Sequence, residues 1–269
     1  MITKRIILIT AMLINHVYGL DKEQLFLSIK ESAMKKGIPE EYLMQVFRDE
    51  SIMIHQEIPE RFAKPYEKKS WEEYRKLFVK QSRIDKGSDF YKKNNKILSD
   101  VSNQFGVDSF VILSIVGIES NYGSHHEQFT VFNSLYTQIS EMPKRKKWAK
   151  NEMVEFLSYC YQDSIPPHSI SGSYAGAFGF GQFIPSSFNR FAVDFDGDGV
   201  RQAYGWPDVM ASIANYLIKN GYPSNNFSDQ ENVYKAIYSY NHSDNYVKAV
   251  LELRDELEKT IESEGNREN

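Results

Sequence analysis

Residues 108–123, DSFVILSIVGIESNYG, decide how the chain folds. Between Val111 and Ile118 only Ser114 and Gly117 interrupt large aliphatic residues, so a helix here has no polar face and must be covered on most sides. The covering elements read as helices too. Apolar spacing at Leu25, Phe26, Ile29 and Ala33 predicts a helix over Lys22–Lys35, and Pro39–Phe47 places a proline at a helix start with acids behind it. Ser70-Trp-Glu-Glu has the form of a capping box and opens a helix to Phe78, and Asp89–Phe105 carries Tyr91, Ile97, Leu98, Val101 and Phe105. Further helices are expected at Phe129–Ile139, Lys146–Tyr161, Pro207–Asn220, Asp229–Ser239 and Tyr246–Glu262. Strand signal is weak and best at Ile52–Ile58, and residues 58–68, with two prolines, read as an extended connection. The fold class is therefore mainly α. A helical N-terminal portion, 20–88, precedes a core over 89–255, and a charged tail, 256–269, frays after Glu258.

Within the buried helix one ionisable residue breaks the apolar run, Glu119, and Asn121 and Gly123 supply stop signals just beyond it. Desolvation and the negative end of the helix dipole both disfavour its anion, which predicts a carboxyl with a raised pKa, suited to protonating a leaving oxygen. The same position also fits a surface glutamate at a helix end, paired with a lysine. Glycosidases usually carry a second carboxylate, and no partner is obvious. His125-His126-Glu127 lacks the H-E-x-x-H spacing of a zinc helix, and no G-x-S-x-G elbow, P-loop or dinucleotide fingerprint occurs.

Composition is that of an ordinary globular protein: 269 residues, 41% hydrophobic, net charge -4. That length supports a substantial core, and the interspersed charge excludes a basic nucleic-acid-binding face. Seventeen Tyr and seventeen Phe suit a groove for sugar rings, although most aromatics are expected to be core. At the N-terminus Lys4 and Arg5 precede an apolar run, Ile6–Ile14, and Val17-Tyr18-Gly19 offers a small-residue cleavage site, the pattern of an export signal over 1–19. An uncleaved anchor is the other reading, though the run is short for a membrane span. Cys160 is the only cysteine, so no intramolecular disulfide forms and no cysteine after the apolar run can take a lipid.

A second informative stretch begins at Ser171. SGSYAGAFGFGQFIPSSF has glycines at 172, 176, 179 and 181 and aromatics at 174, 178, 180 and 183, which bring bare backbone and ring faces up to a ligand. The acidic segment that follows, DFDGDGVRQAYGWPD, reproduces the first half of a calcium loop with Asp194, Asp196, Asp198 and Gly199. Position twelve is Gly205, which has no carboxylate, and the next acid is Asp208, so the loop is longer by three residues. It closes on a flexible cation if Val200 gives its carbonyl and Asp208 a bidentate carboxylate. A solvated Asp-Gly turn is the alternative, but four carboxylates so close repel one another unless something neutralises them.

IVGIESNYG (115–123), GSYAGAFGFGQFIPSS (172–187), AVDFDGDG (192–199), ASIANYL (211–217) and YNHSDNY (240–246), in this order, resemble the lytic murein transglycosylase B family, glycoside hydrolase family 103, over roughly residues 70 to 255. The resemblance implies a lysozyme-like catalytic core, preceded by the extra helical portion and carrying an EF-hand-like metal loop at 194–208. It implies cleavage of the MurNAc-GlcNAc β-1,4 bond of peptidoglycan without water, the C6 hydroxyl of MurNAc closing a 1,6-anhydro ring. One glutamate acts as acid and then as base, which accounts for the missing second carboxylate. Residue by residue, Glu119 becomes the catalytic group, Ser173 and Gln182 orient the sugar, and Phe180 and Phe183 line the groove. Tyr216, Tyr240, Asn241 and Tyr246 face the same site, and Arg145 suits an anionic peptide stem or lactyl carboxylate. Asp194, Asp196, Asp198, Val200 and Asp208 become ligands of a structural Ca2+, and no organic cofactor is implied.

Two departures from the family stand out. Only Gly221–Tyr240 fills an interval where some members insert a small β domain, and the anchor cysteine of membrane-bound members is missing. Glycan strands are the expected partner, with no nucleic acid and no stable membrane anchor, in the periplasm. A hydrolytic muramidase on the same fold and a non-catalytic peptidoglycan-binding scaffold are the alternatives.

Overall fold

A computed structural model describes residues 22–63, 69–124 and 128–268. The signal segment 1–19 and the His125-His126-Glu127 trio lie outside the described residues. In chain order the helices are α1 (22–35), α2 (Glu40–Phe47), α3 (Glu57–Ala63), α4 (Trp71–Phe78), α5 (Gln81–Phe105) and α6 (Ser109–Ser120). These are followed by α7 (Val131–Glu141), α8 (Lys146–Gln162), α9 (Pro185–Phe191), α10 (Trp206–Lys219), α11 (Gln230–Tyr240) and α12 (Asp244–Glu268). Two short strands, β1 (Phe129–Thr130) and β2 (Ser171–Gly172), pair antiparallel, Phe129 opposite Gly172 and Thr130 opposite Ser171.

Helix α6 is the centre of the molecule, in contact with α5, α10 and α12. Every residue from Val111 to Ser120 is buried except Glu119, which is half-buried. Its start is capped by Asp108, whose carboxylate accepts the Phe110 N–H at 2.8 Å and is paired with Arg254. Its end turns at Asn121 (φ 49°), whose N–H reaches the Gly117 carbonyl. The Asn121 stop signal read from the sequence therefore works as a left-handed cap. Helix α8 lies between α7 and α9, and one continuous buried cluster runs from Leu25 in α1 to Leu257 in α12.

Several expectations need correction. Residues 52–55 are extended but not a strand: the Met53 and His55 N–H groups bond to the Asn133 and Thr137 side chains, one turn apart on α7, instead of to a neighbouring strand. The next residues form α3, so the connection expected at 58–68 is helical as far as Ala63, with Ile58 fully buried. Helix α5 starts at Gln81, not Asp89, and runs unbroken through the division drawn at 88/89. The C-terminal segment expected to fray stays helical to Glu268, because Leu257 is buried and Glu264 meets Ser88 and Lys92 on α5. Helix α9 was not expected. The capping box at Ser70 and Glu73 forms as read, and Pro39 sits just before α2 as its N-cap. Among the described residues no single helix is long and apolar enough to cross a membrane, and Cys160 is buried and free.

Candidate active site

The end of α6 delivers Glu119 to a wall of aromatic side chains from four other segments. The Tyr246 hydroxyl, on the first turn of α12, donates to Glu119 Oε1 at 2.6 Å. Tyr246 is only 1% exposed, and its ring lies parallel to that of Tyr240, the last residue of α11, with 6.4 Å between centroids. The Tyr240 hydroxyl donates to the Gly181 carbonyl at 2.6 Å, and the Tyr216 hydroxyl, from α10, donates to the Ser239 carbonyl at 2.6 Å. Phe183 packs against Tyr240 (5.4 Å) and Tyr216 (6.0 Å), and these two tyrosines meet edge to face at 4.9 Å. Edge and offset contacts of this kind suit the ring quadrupole and fix the rings relative to one another.

Burial pushes the Tyr240 and Tyr246 phenols well above the ordinary tyrosine pKa, and the negative charge of Glu119 pushes them further. Both therefore stay neutral donors.

The Gly/aromatic segment presents its side chains through tight local pairing. Gly172 and Phe178 form one antiparallel bridge and Phe178 and Phe183 another, with a turn at 173–177 in which Ser173 Oγ accepts the Ala177 N–H at 3.1 Å. Gln182 adopts a left-handed φ of 49°, held by its N–H and by its side-chain amide, both donating to the Gly179 carbonyl. Phe183 is thereby turned inward. Phe180 stacks on Trp206 at 4.3 Å and 20°.

Of the predicted substrate residues, Tyr246, Tyr240, Tyr216 and Phe183 connect to Glu119 through this chain of contacts. Phe180 forms a second aromatic pair on the same segment. Asn241 follows α11, half-buried, and its carbonyl accepts the Ser243 N–H. Arg145 is reached by a different route. Its guanidinium lies between the rings of Phe62 (4.4 Å) and Trp148 (4.2 Å), and Nε donates to Gln138 Oε1. The Gln138 amide in turn donates to the Tyr174 carbonyl, beside Ser173. Burial lowers the Arg145 pKa from its usual value.

Sequence reasoning passed over Trp206, Phe62, Trp148 and Gln138. The spacing of Arg145 and Trp148, three apart on one helix face, was the available signal for the cation–π contact. Phe62 carried none, because its segment read as a connection.

In the acidic loop, carboxylate oxygens of Asp194, Asp196 and Asp208 lie within 4.8 Å of one another. Asp208, 2% exposed, accepts the Phe195 N–H on Oδ1 and the Gln202 N–H on Oδ2, both at 2.7 Å. Burial pushes its carboxyl pKa up; those two N–H groups pull it back, and the charges of Asp196 and Asp194 push it up further. Asp194 accepts the Gly197 and Gly199 N–H groups. Asp198 stands outside the triad: its oxygens take the Val200 N–H and the Gln202 side-chain amide. Val200 is exposed. Arg201, the cation within the loop, pairs instead with Asp163. Three converging carboxylates with all-oxygen donors fit a hard divalent cation.

The helical architecture is that of lysozyme-like lytic transglycosylases. The soluble lytic transglycosylase SltB1 of Pseudomonas aeruginosa superposes with a TM-score of 0.80, covering 88% of this chain and 99% of its own at 28% identity. The Escherichia coli lytic transglycosylase Slt35, solved in complex with calcium, gives a TM-score of 0.79 over 90% of this chain and 93% of its own, at 21% identity. Within that architecture the chain belongs to the transglycosylase SLT domain family, whose model matches residues 21–231. It is 29% identical over 209 residues, 76% of its length, to the membrane-bound lytic murein transglycosylase B of Escherichia coli K12. It spans 54% of that relative, about half.

Proposed function

We propose that the protein is a peptidoglycan lytic transglycosylase that cleaves the MurNAc-GlcNAc β-1,4 bond with Glu119 as its one acid/base. The observation that carries this reading is the placement of Glu119. It is the one residue of Val111–Ser120 that is half-buried instead of buried, it is hydrogen-bonded to a buried phenol, and it is the one carboxylate whose charge acts on Tyr240 and Tyr246 among the described residues.

In the first step the protonated carboxyl gives its proton to the glycosidic oxygen as the C1–O4 bond breaks, releasing the GlcNAc 4-hydroxyl. In the second, the carboxylate takes the proton of the MurNAc C6 hydroxyl as its oxygen bonds to C1, closing the 1,6-anhydro ring. The glutamate ends protonated, no water is consumed, and no second carboxylate is needed. Tyr246 fixes the orientation of the carboxyl and steadies its anion between the two steps. Ser173 and Gln182 orient the sugar, Phe180, Phe183, Tyr216, Tyr240 and Asn241 face the groove, and Arg145 accepts an anionic group of the peptide or lactyl arm.

Asp194, Asp196 and Asp208 would hold a Ca2+, with Asp198 and the Val200 carbonyl as the further ligands of the set, and its charge would neutralise the carboxylates of the loop between α9 and α10. Lys4, Arg5 and the Ile6–Ile14 run support export to the compartment where peptidoglycan lies.

The test is mass spectrometry of muropeptides released from purified murein, with Glu119→Gln as control. Anhydro-MurNAc products that disappear in the variant are expected. Reducing-end products would make the protein a hydrolase, and intact murein after incubation with the wild type would make it a binding protein.

A further inference from the structure

A cavity of about 230 Å³ lies away from the aromatic wall, where α1, the end of α7 and the start of α8 meet. Two helices each offer it a pair of side chains one turn apart: Gln24 and Ser28 from α1, Lys146 and Lys150 from α8. Ser140, from the end of α7, is the fifth polar side chain in the wall, with Leu25 and Ile139 as the apolar part. Among the described residues neither lysine forms an ion pair. Burial lowers the Lys150 pKa, and the neighbouring Lys146 charge lowers it again.

The placement is unfavourable for α8 itself. Its first turn holds no acidic residue, and cations gather at the positive pole of the helix, where the dipole favours anions. Lys150 is partly buried and Lys146 is exposed at the mouth of the recess, and these two like charges at that pole are stabilised once an anion sits between them. Helix α8 uses its opposite face for Arg145 and Trp148, so the recess is separate from the groove beside Glu119.

We propose that this recess binds a phosphate-class oxyanion between Lys146 and Lys150, with Ser140 and Gln24 donating to its remaining oxygens; the Ser28 hydroxyl lines the recess but donates to the Leu25 carbonyl at 2.8 Å. Lysine suits such a ligand because a compact ammonium acts as a point charge on phosphate, whereas planar bidentate recognition calls for arginine. Free phosphate and the phosphate of a lipid headgroup share this chemistry.

The experiment is amine-specific labelling of the full chain, read peptide by peptide, with inorganic phosphate or with vesicles of phosphatidylglycerol or phosphatidylcholine, at constant ionic strength. Saturable protection of Lys146 and Lys150 of at least about fivefold is expected in phosphate, along with a phosphate-dependent rise in Tm. Both are expected to vanish in Lys146→Gln/Lys150→Gln while release of muropeptides continues at the wild-type rate. Protection by phosphate but not by vesicles makes the ligand a small phosphate, and stronger protection by phosphatidylglycerol than by phosphatidylcholine makes it a headgroup. Protection no greater than sodium chloride gives, an adventitious ion only, would overturn the proposal. So would a double variant that responds to phosphate like the wild type.

Discussion

Gly117→Ala should damage catalysis from a position that touches no substrate. A Cβ at residue 117 would lie 2.5 Å from the Tyr122 hydroxyl oxygen and 2.7 Å from Cζ, where an ordinary contact is 3.4–4 Å. On the other side of the same phenol, Gly87 of α5 leaves a similar gap, with a hypothetical Cβ only 2.4 Å from the oxygen. The ring is thus wedged between two helices that approach it through glycines, and it would have to retreat by about 1 Å, as the contact distances require. Tyr122 stands in a left-handed conformation (φ 56°) three residues beyond Glu119, so the movement passes into the turn that carries the acid. Overpacking costs about 1–3 kcal/mol, and alanine returns about 1 kcal/mol of helix propensity. The net loss is about 0–2 kcal/mol, or a Tm up to about 8 °C lower. A shift of about 1 Å at a catalytic group is worth about a hundredfold in rate. The assays are a thermal melt and the initial rate of muropeptide release. Among the described residues the buried Tyr122 hydroxyl has no hydrogen-bond partner, so Tyr122→Phe should be neutral or stabilising by about 1 kcal/mol. In that background Gly117→Ala should cost less, a coupling of about 0.5–3 kcal/mol. Wild-type rate and Tm in Gly117→Ala, or strict additivity with Tyr122→Phe, would refute the wedge.

Tyr246→Phe removes a hydrogen bond to a carboxylate worth about 1.5–3 kcal/mol, so kcat should fall about 10- to 150-fold with a smaller change in KM; an unchanged kcat would remove Tyr246 from the mechanism. Calcium at a hundred times its Kd should stabilise the protein by about 2.7 kcal/mol, raising Tm by about 5–11 °C. Chelation should reverse that rise and Asp208→Asn should abolish it, whereas a melt indifferent to both would leave the acidic loop without a metal. Glu152 is 4% exposed and holds the Ser186 N–H and hydroxyl at the start of α9, and burial pushes its carboxyl above the ordinary glutamate value of 4.5. Between 4.5 and that raised value the folded state binds more protons than the unfolded one, so stability falls as pH rises through the window. Glu152→Gln should flatten that part of the stability profile, and a parallel profile in the variant would show that another group sets it.

The α6 sequence disclosed its own burial, because a helix with one charged residue in ten has nowhere to go but inside. Its exit was legible for the same reason, as Asn121 and Gly123 are residues that tolerate a left-handed turn. Helices α3 and α9 were not legible. Each has seven residues, too few for an apolar stripe to repeat, and Ile184 before α9 caps nothing with its side chain. Ile52–Ile58 was the best of a weak strand signal, yet the side chains of Asn133 and Thr137, about eighty residues away, take the Met53 and His55 N–H groups, and no local pattern reveals a partner at that distance. In the site, the tyrosines came from the family resemblance, since each taken alone reads as core. The Phe62 side of the Arg145 sandwich and the Phe180–Trp206 stack are contacts across the fold and left no local mark.

What the packing adds is a division of labour among hydroxyls and acids. Tyr216 and Tyr240 each have their O–H committed to a backbone carbonyl, and the Tyr246 O–H is committed to Glu119. Burial makes ionisation of all three phenols harder. The phenols of the wall are therefore neutral around neutral pH, which leaves Glu119 as the group that exchanges a proton with a sugar in the proposed mechanism. A neutral wall also explains why a carboxylate can be tolerated there: in the proposed mechanism the anion between the two steps would meet an O–H dipole already aimed at it, so little reorganisation would be needed when charge appears. The binding-scaffold alternative offers no reason to bury a carboxyl against neutral phenols, since an amide in its place would hold a sugar without the desolvation penalty.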